Sequence, residues 1–352
     1  MYYGRNTGHG HRDTLMPGIH AFGLYMNPDH GYPALTDGNN EEMRWTKNIS
    51  SHDTVMVDSL PGQSHIVGIP RHFYPGTHIG VMDVEAPLVY KQTQCYRRTI
   101  LSVNVENEFY IVDFFRVQGG HDHKYIFHGG EGSVTTTGLN LVPQEKGTYA
   151  GVDVEFASPS YDKEQFDGFN YLYDVRKDEK LKGQFSVEWK LKDTWGVWDR
   201  ERDVRLALTM ASDGSEVSLA QGSPPANKPG NPKEFTYMIV RSRGEDIQSC
   251  FTAVLEGFEN QKDVVKVENI PVFHEGVMED FAAKALRITL ASGRVDTVFN
   301  AMDNRAYTTE DGSAFQGFTA VISQKNDDIY QIFFHDMDFC SFKGRVLCSQ
   351  NP

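Results

Sequence analysis

Residues 8–13 read GHGHRD and concentrate groups that could do chemistry. His9 and His11 stand two apart, Asp13 lies two further on, and Gly8 and Gly10 leave the backbone unobstructed around them. Residues i, i+2 and i+4 of an extended strand share a face, so as a strand this stretch presents two imidazoles and a carboxylate together. Imidazole is a common zinc ligand, and zinc takes about four N, O or S donors. The pair could supply two ligands, or one ligand and one catalytic group, with the other donors coming from elsewhere. Two candidates stand out: Asp29 in YMNPDHGYP (25–33), after an aromatic-rich strand, and His52, which opens the strand-like SHDTVMVD. The competing reading is a polar, solvated turn. An HxH pair alone is a weak signal in a chain with 13 histidines, and HDH at 121–123 is another close pair. A cupin-type oxygenase site needs a Glu ligand within a few residues of the second histidine, and none occurs before Glu41.

The elements that must position these groups read as strands. GQFSVEWKLKD (183–193) alternates Phe185, Val187, Trp189 and Leu191 on one face, and TILSVNVENEFYIVDFFRVQGG (99–120) reads as two strands joined at the polar ENE. Further short apolar runs follow at regular spacing to FQGFTAVISQ and DIYQIFFHDM, separated by Gly and Asp turns. EGVMEDFAAKAL (275–286) is the best helix candidate, as a short helix or a loop. QGSPPANKPGNPKE (221–234) is a long loop, because strands resume at once. The pattern predicts an all-β chain: a large antiparallel β-sandwich of stacked sheets over residues 1–268 and a smaller C-terminal β-rich region over 269–352.

The composition narrows the function classes. Net charge is −14, from 34 basic and 48 acidic residues, so the overall field does not attract nucleic acid. An acidic polysaccharide could bind only at a locally basic cleft. No stretch approaches the roughly 20 apolar residues of a spanning helix, and the N-terminus has no apolar signal core, so any export signal would lie outside this chain. The four cysteines form no CxxC pair; Cys340 and Cys348 could bridge.

Several blocks, in order, carry a resemblance. YYGRNTGHGHRDTLMPGIHAFGLYMNPDHGYP resembles the segment that opens the β-sheet domain of heparinase II/III-type polysaccharide lyases: an HgHxD pattern, an apolar strand, then an Asp before Gly-Tyr-Pro. RWTKNISSHDTVMVD (44–58) is similar to the family's W…HNTVVVD, with Asp53 where Asn is usual. FYIVDFFRVQGGHDHKYIFHGG (109–130) and FTYMIVRSRGEDIQSCFTAVLEGF (235–258) resemble two further family blocks.

The resemblance implies zinc held by His11, Asp29 and His52, a metal that organises the active-site wall rather than making a nucleophile. It implies that His9 faces the sugar as a proton-transfer group or a partner of the uronate carboxylate, with Asp13 in support behind the ligands. The implied reaction is β-elimination on a uronic-acid polysaccharide. A base removes the C5 proton, hydrogen bonds or cations neutralise the carboxylate, and an acid protonates the departing O4. In the family an α/α toroid supplies the opposite wall of the cleft. This chain starts where the β domain starts, so it is expected to be a fragment or split product with little activity alone, acting on an acidic poly- or oligosaccharide in the periplasm or outside the cell. No nucleic acid or membrane partner is expected, and a homodimer is compatible with the sequence.

Arg71, His72 and Tyr74 in PRHFYPG could line a sugar cleft or form an exposed loop. His123 and His128 match recurring family histidines and read either as substrate contacts or as turn and core groups. Trp195 and Trp198 could stack on sugars, whereas Trp189 alternates with core positions and is expected to be buried. The alternative function is a non-catalytic carbohydrate-binding or structural β-sandwich with a stabilising metal.

Overall fold

The structure is a computed structural model. It describes residues 1–5, 10–36, 41–161, 166–181, 183–211, 214, 216–225 and 227–349. The chain is nearly all β and divides into two compact units, residues 1–103 with 111–260, and residues 104–110 with 261–352. The sequence reading puts the division near 268; here strand Val264–Ile270 lies in the second unit.

Two large antiparallel sheets build the first unit, with a small hairpin of His20–Ala21 and Leu24–Tyr25 beside them in the sequence. One runs in the order Val142–Pro143, Leu172–Asp178, Glu216–Gly222, Phe235–Arg243, Asp122–His128 and Val55–Val57. The other has eight strands, from the edge strand Ile69–Tyr74 through Ile79–Glu85, Cys95–Val105, Glu108–Gln118, Gln248–Glu259, Val204–Met210 and Phe185–Leu191 to the opposite edge, Gly132–Thr137. Their inner faces share one core: Val187, Trp189, Leu206 and Leu208 from the eight-stranded sheet lie in one buried cluster with Phe127, Leu219 and Met238 from the six-stranded one, and the rings of Phe127 and Trp189 are 5.7 Å apart. Phe185, Val187, Trp189 and Leu191 are buried while Ser186, Glu188 and Lys190 point outward, as alternation requires. Strand Phe235–Arg243 instead buries six consecutive residues. It can do so because the six-stranded sheet is covered on its other face as well, by aromatic residues of two short helices, Glu41–Thr46 and Phe169–Tyr171: Tyr237 bonds to His30, which packs on Trp45, and Lys124 lies over the Phe169 ring.

Turn chemistry sets the hairpins. Strands Cys95–Val105 and Glu108–Gln118 are joined by Glu106 and Asn107, at φ 54° and 65°, the two left-handed residues of a type I′ turn. Asn326 and Asp327 join strands Ala314–Lys325 and Asp328–Phe342 in the same way.

The second unit is one antiparallel sheet whose central strands are Ala283–Leu290, Arg294–Ala301 and Ala314–Lys325. The expected helix or loop at 275–286 is instead two strands, Val277–Glu279 and Ala283–Leu290. The Glu279 carboxylate accepts the N–H groups of Phe281 and Ala282 at 2.9 and 2.8 Å, which turns the chain. Strand Ala283–Leu290 then pairs on both sides, with Val264–Ile270 and Arg294–Ala301, and sheet pairing overrides the helix propensity of its alanines. Arg294, fully buried, donates to the Val105 carbonyl and meets Glu108 Oε2 and Asp296 Oδ2, each at 3.1 Å. Tyr110 donates to the same Asp296 oxygen at 2.6 Å. The four cysteines are free, and Cys340 and Cys348 stand opposite each other in register on the last two strands.

Candidate metal centre

Three separate segments bring His11, Asp29 and His52 together. None of the three residues lies on a strand. His52 follows a short 3₁₀ turn, Ile49–Ser51, capped by Asn48, and the neighbouring strand begins only at Val55. The expected strand through GHGHRD is absent among its described residues, 10–13, so strand geometry does not place His11. Turns do: Arg12 N–H bonds to Lys47 O at 3.0 Å, and Met16 N–H to Asp13 O at 2.8 Å. Asp29 is oriented by its own turn, in which Oδ1 accepts Gly31 N–H at 2.8 Å. Gly31 has φ 69°, a conformation that costs glycine little.

The donor atoms converge. His11 Nδ1 lies 3.0 Å from His52 Nε2 and 3.1 Å from Asp29 Oδ2, and His52 Nε2 lies 3.3 Å from that same oxygen. Ligands about 2.0–2.1 Å from a tetrahedral zinc are about 3.3–3.4 Å apart, so these edges fit such an ion with a slight contraction. His52 Nδ1 donates to Asn48 O at 2.6 Å. That bond fixes the tautomer and turns the Nε2 lone pair into the cluster, the outer-shell arrangement expected of a metal-binding histidine. His11 Nε2 is buried and has no such partner among the described residues.

A carboxylate and two imidazole nitrogens so close require a positive group between them, a proton or a metal ion. Burial disfavours charge on Asp29, but its bonds to His11 and His52 hold the carboxyl far below the usual range. Burial likewise opposes charge on His52, and the Asp29 carboxylate outweighs it and raises the imidazole. His11 and His52 are buried, while the Asp29 side chain keeps about a third of its surface exposed. The centre therefore opens on the carboxylate side.

Polar groups unremarked in the sequence hold the two histidine loops. Arg98 is fully buried and pairs bidentately with Asp113 at 2.9 and 2.6 Å. Its remaining nitrogen donates to Leu15 O at 3.0 Å and Asp53 O at 2.6 Å, one from the loop after His11 and one directly after His52. Asn27 bridges Pro17 O and Asp53 Oδ2 at 2.9 and 2.7 Å. His30, next to Asp29, packs edge-on to Trp45 with ring centroids 4.6 Å apart and bonds to the Tyr237 hydroxyl. Burial, and after it His128, pushes His30 well below the usual imidazole range. Nothing in the spacing of these residues marks them, except that His30 follows a candidate ligand.

His9 lies outside the described residues. Asp13 is close enough to the cluster to feel it: burial raises its carboxyl, and His52 and His11 pull it back. Arg71 and His72 stand on the edge strand Ile69–Tyr74, not on a segment that carries the triad, and Arg71 meets Glu85 at 2.5 Å. His123 is buried with both nitrogens engaged, by Ser249 Oγ at 2.9 Å and Gly119 O at 2.8 Å. His128 is buried and stacked on Phe235, and its backbone N–H donates to Asp53 at 2.8 Å. Trp189 is buried, and its indole N–H bonds to Thr236 O at 2.9 Å.

No protein-family model matches the sequence, and no curated protein does. Solved structures do match. A heparinase III gene product aligns with TM-score 0.56 and 13% identity over 85% of this chain and 38% of its own. The same gene product with methylated lysines aligns with TM-score 0.55, at the same identity and coverage. The chain thus spans well under half the length of the structures it matches. Over 85% of its own length, this chain shares its fold with part of a heparinase III.

Proposed function

We propose that this chain is the β-sheet portion of a polysaccharide lyase and that His11, Asp29 and His52 hold a zinc ion. The observation that carries the reading is the convergence of a zinc-type donor set, two imidazoles and a carboxylate, at separations of 3.0–3.3 Å on a heparinase III fold. Bound there, zinc would supply positive charge and tie three irregular segments into one rigid wall. His11 and His52 would hold it from the buried side, and Asp29 from the partly exposed one.

The proposed reaction is β-elimination on a uronic-acid polysaccharide, with His9 exchanging a proton with the sugar. An imidazole suits that task near neutral pH. Turnover is proposed to need a second wall beyond this chain, which spans 38% of the matched structure. The proposed location, periplasmic or extracellular, rests on the family resemblance. Among the described residues no helix is long and apolar enough to cross a membrane.

Metal analysis of the purified chain tests the centre. About one zinc per chain is expected, lost in His11→Ala and His52→Ala, and a chelator should lower the melting temperature of the wild type. Protein without stoichiometric metal would sink the ligand assignment. The absorbance of the unsaturated uronate product tests the reaction. In an enzyme reconstituted with a helical counterpart, His9→Ala should abolish turnover while zinc is retained; unchanged turnover would favour a non-catalytic carbohydrate-binding sandwich.

A further inference from the structure

An open cleft of about 460 Å³ lies at the edge of the eight-stranded sheet, along strands Gly132–Thr137 and Phe185–Leu191 and the loop that follows. Four cations line it, Lys190, Lys192, Arg200 and Arg202, together with the indole of Trp198. Two acidic residues also line it, Asp193 and Glu201. Asp193 is spent on its own turn: its oxygens accept the N–H groups of Val197 and Trp198 at 2.8 and 2.7 Å.

The cleft is built rather than incidental. Arg202 is held bidentately by Glu259 at 2.9 Å on both arms, and its guanidinium carbon lies 5.5 Å from the ring centres of Phe22 and Trp198. Trp198 donates its indole N–H to Phe22 O at 2.8 Å. Lys192 is steadied by Glu131 at 3.1 Å, and Lys190 by Asp203 at 3.6 Å. Arg200 is exposed. Fixed cations beside an aromatic face suit a ring bearing carboxylate or sulfate, because the anion meets charge-assisted donors and the sugar's apolar face meets the indole. Through Phe22 the cleft is joined to the hairpin His20–Tyr25, and the chain leaving that hairpin reaches Asp29 four residues later.

We infer that this cleft is a binding subsite for an acidic oligosaccharide, separate from the three-donor centre and holding a part of the chain away from the bond that is cleaved. The inference extends the polysaccharide reading above, but its chemistry stands on the cleft.

Calorimetric titration with three probes tests it: a heparin hexasaccharide, a hexagalacturonate and neutral cellohexaose. The two acidic probes should bind and weaken with added salt, and cellohexaose should not bind. Lys192→Ala/Arg200→Ala should weaken acidic binding by roughly tenfold or more, and Trp198→Leu should weaken it separately. The control Lys146→Ala/Arg345→Ala removes as many exposed charges elsewhere and should bind as the wild type does. Absence of acidic binding, equal binding of cellohexaose, or wild-type affinity in Lys192→Ala/Arg200→Ala would each overturn the inference. Zinc content should be unchanged in all these variants. A metal-free protein whose acidic binding still depends on Lys192 and Arg200 would refute the zinc centre and keep the cleft.

Discussion

Arg98→Met is the most informative single substitution in the first unit. Methionine keeps much of the aliphatic bulk but leaves Asp113, about 1% exposed, as a buried carboxylate whose remaining partner is the Tyr125 hydroxyl at 2.9 Å. Breaking a buried ion pair from one side costs about 3–5 kcal/mol. The carbonyls of Leu15 and Asp53 lose their donor at the same time, so the upper half of that range is expected. In a unit of this size each kcal/mol moves the melting temperature by about 2–4 °C, so about 4–5 kcal/mol gives a fall of about 8–20 °C. The double variant Arg98→Met/Asp113→Leu separates the two losses. It removes the stranded charge and should recover most of the stability, since well-packed apolar pairs often match buried ion pairs. It cannot restore the tie between the two histidine loops, so its zinc content after gel filtration should stay low. Thermal melts and metal analysis on the same samples read both quantities. A single variant that melts within about 2 °C of wild type, less than 1 kcal/mol, or a double variant with full zinc, would refute the assignment of Arg98 as the clamp of this centre.

Other outcomes follow from the same kind of argument. Arg294→Met should cost the second unit about 3–5 kcal/mol, because Asp296 and Glu108 lose their buried partner. Hydrogen exchange should rise in strands Ala283–Leu290 and Arg294–Ala301, and unchanged protection would contradict this. Burial disfavours charge on Asp122, yet bidentate Arg241 and then Lys124 hold its carboxyl below the usual range. A lowered carboxyl stabilises the fold above the unfolded pKa, about 4. Asp122→Asn should therefore cost about 1.5–3 kcal/mol at neutral pH, and the gap to wild type should close as pH falls below about 4 in denaturation curves. Burial, with the Cys348 thiol adding to it, pushes Cys340 up to about 12. In mildly alkaline buffer the native protein should resist iodoacetamide at Cys340 by peptide mass mapping, while the unfolded chain should not.

The β architecture was legible because alternation survives in the sequence wherever one sheet face meets core and the other meets water, as at Phe185–Leu191. It failed at 275–286, where alanines and a leucine suggest a helix and only pairing with two distant strands decides otherwise. The approximate location of the candidate centre was legible in residue types and block order. Its geometry was not, since no donor sits on a regular element and local periodicity says nothing about how three irregular loops meet. Arg98, Asn27 and His30 were invisible for the same reason: each acts across a long sequence separation, and a lone Arg or Asn in a strand or turn looks like surface until its burial is known.

The hairpin tip at residues 104–110 has a consequence for anyone who would take the chain apart. Its two long strands belong to the first unit, yet the tip belongs to the second, so the backbone crosses between units three times, after 103, after 110 and after 260. A truncation after residue 260 is therefore not a clean excision. It would strip the Val105 carbonyl, Glu108 and the Tyr110 hydroxyl of Arg294 and Asp296 in a single cut. Domain swaps and split expression should respect a border that is a loop in space, not a point in the sequence.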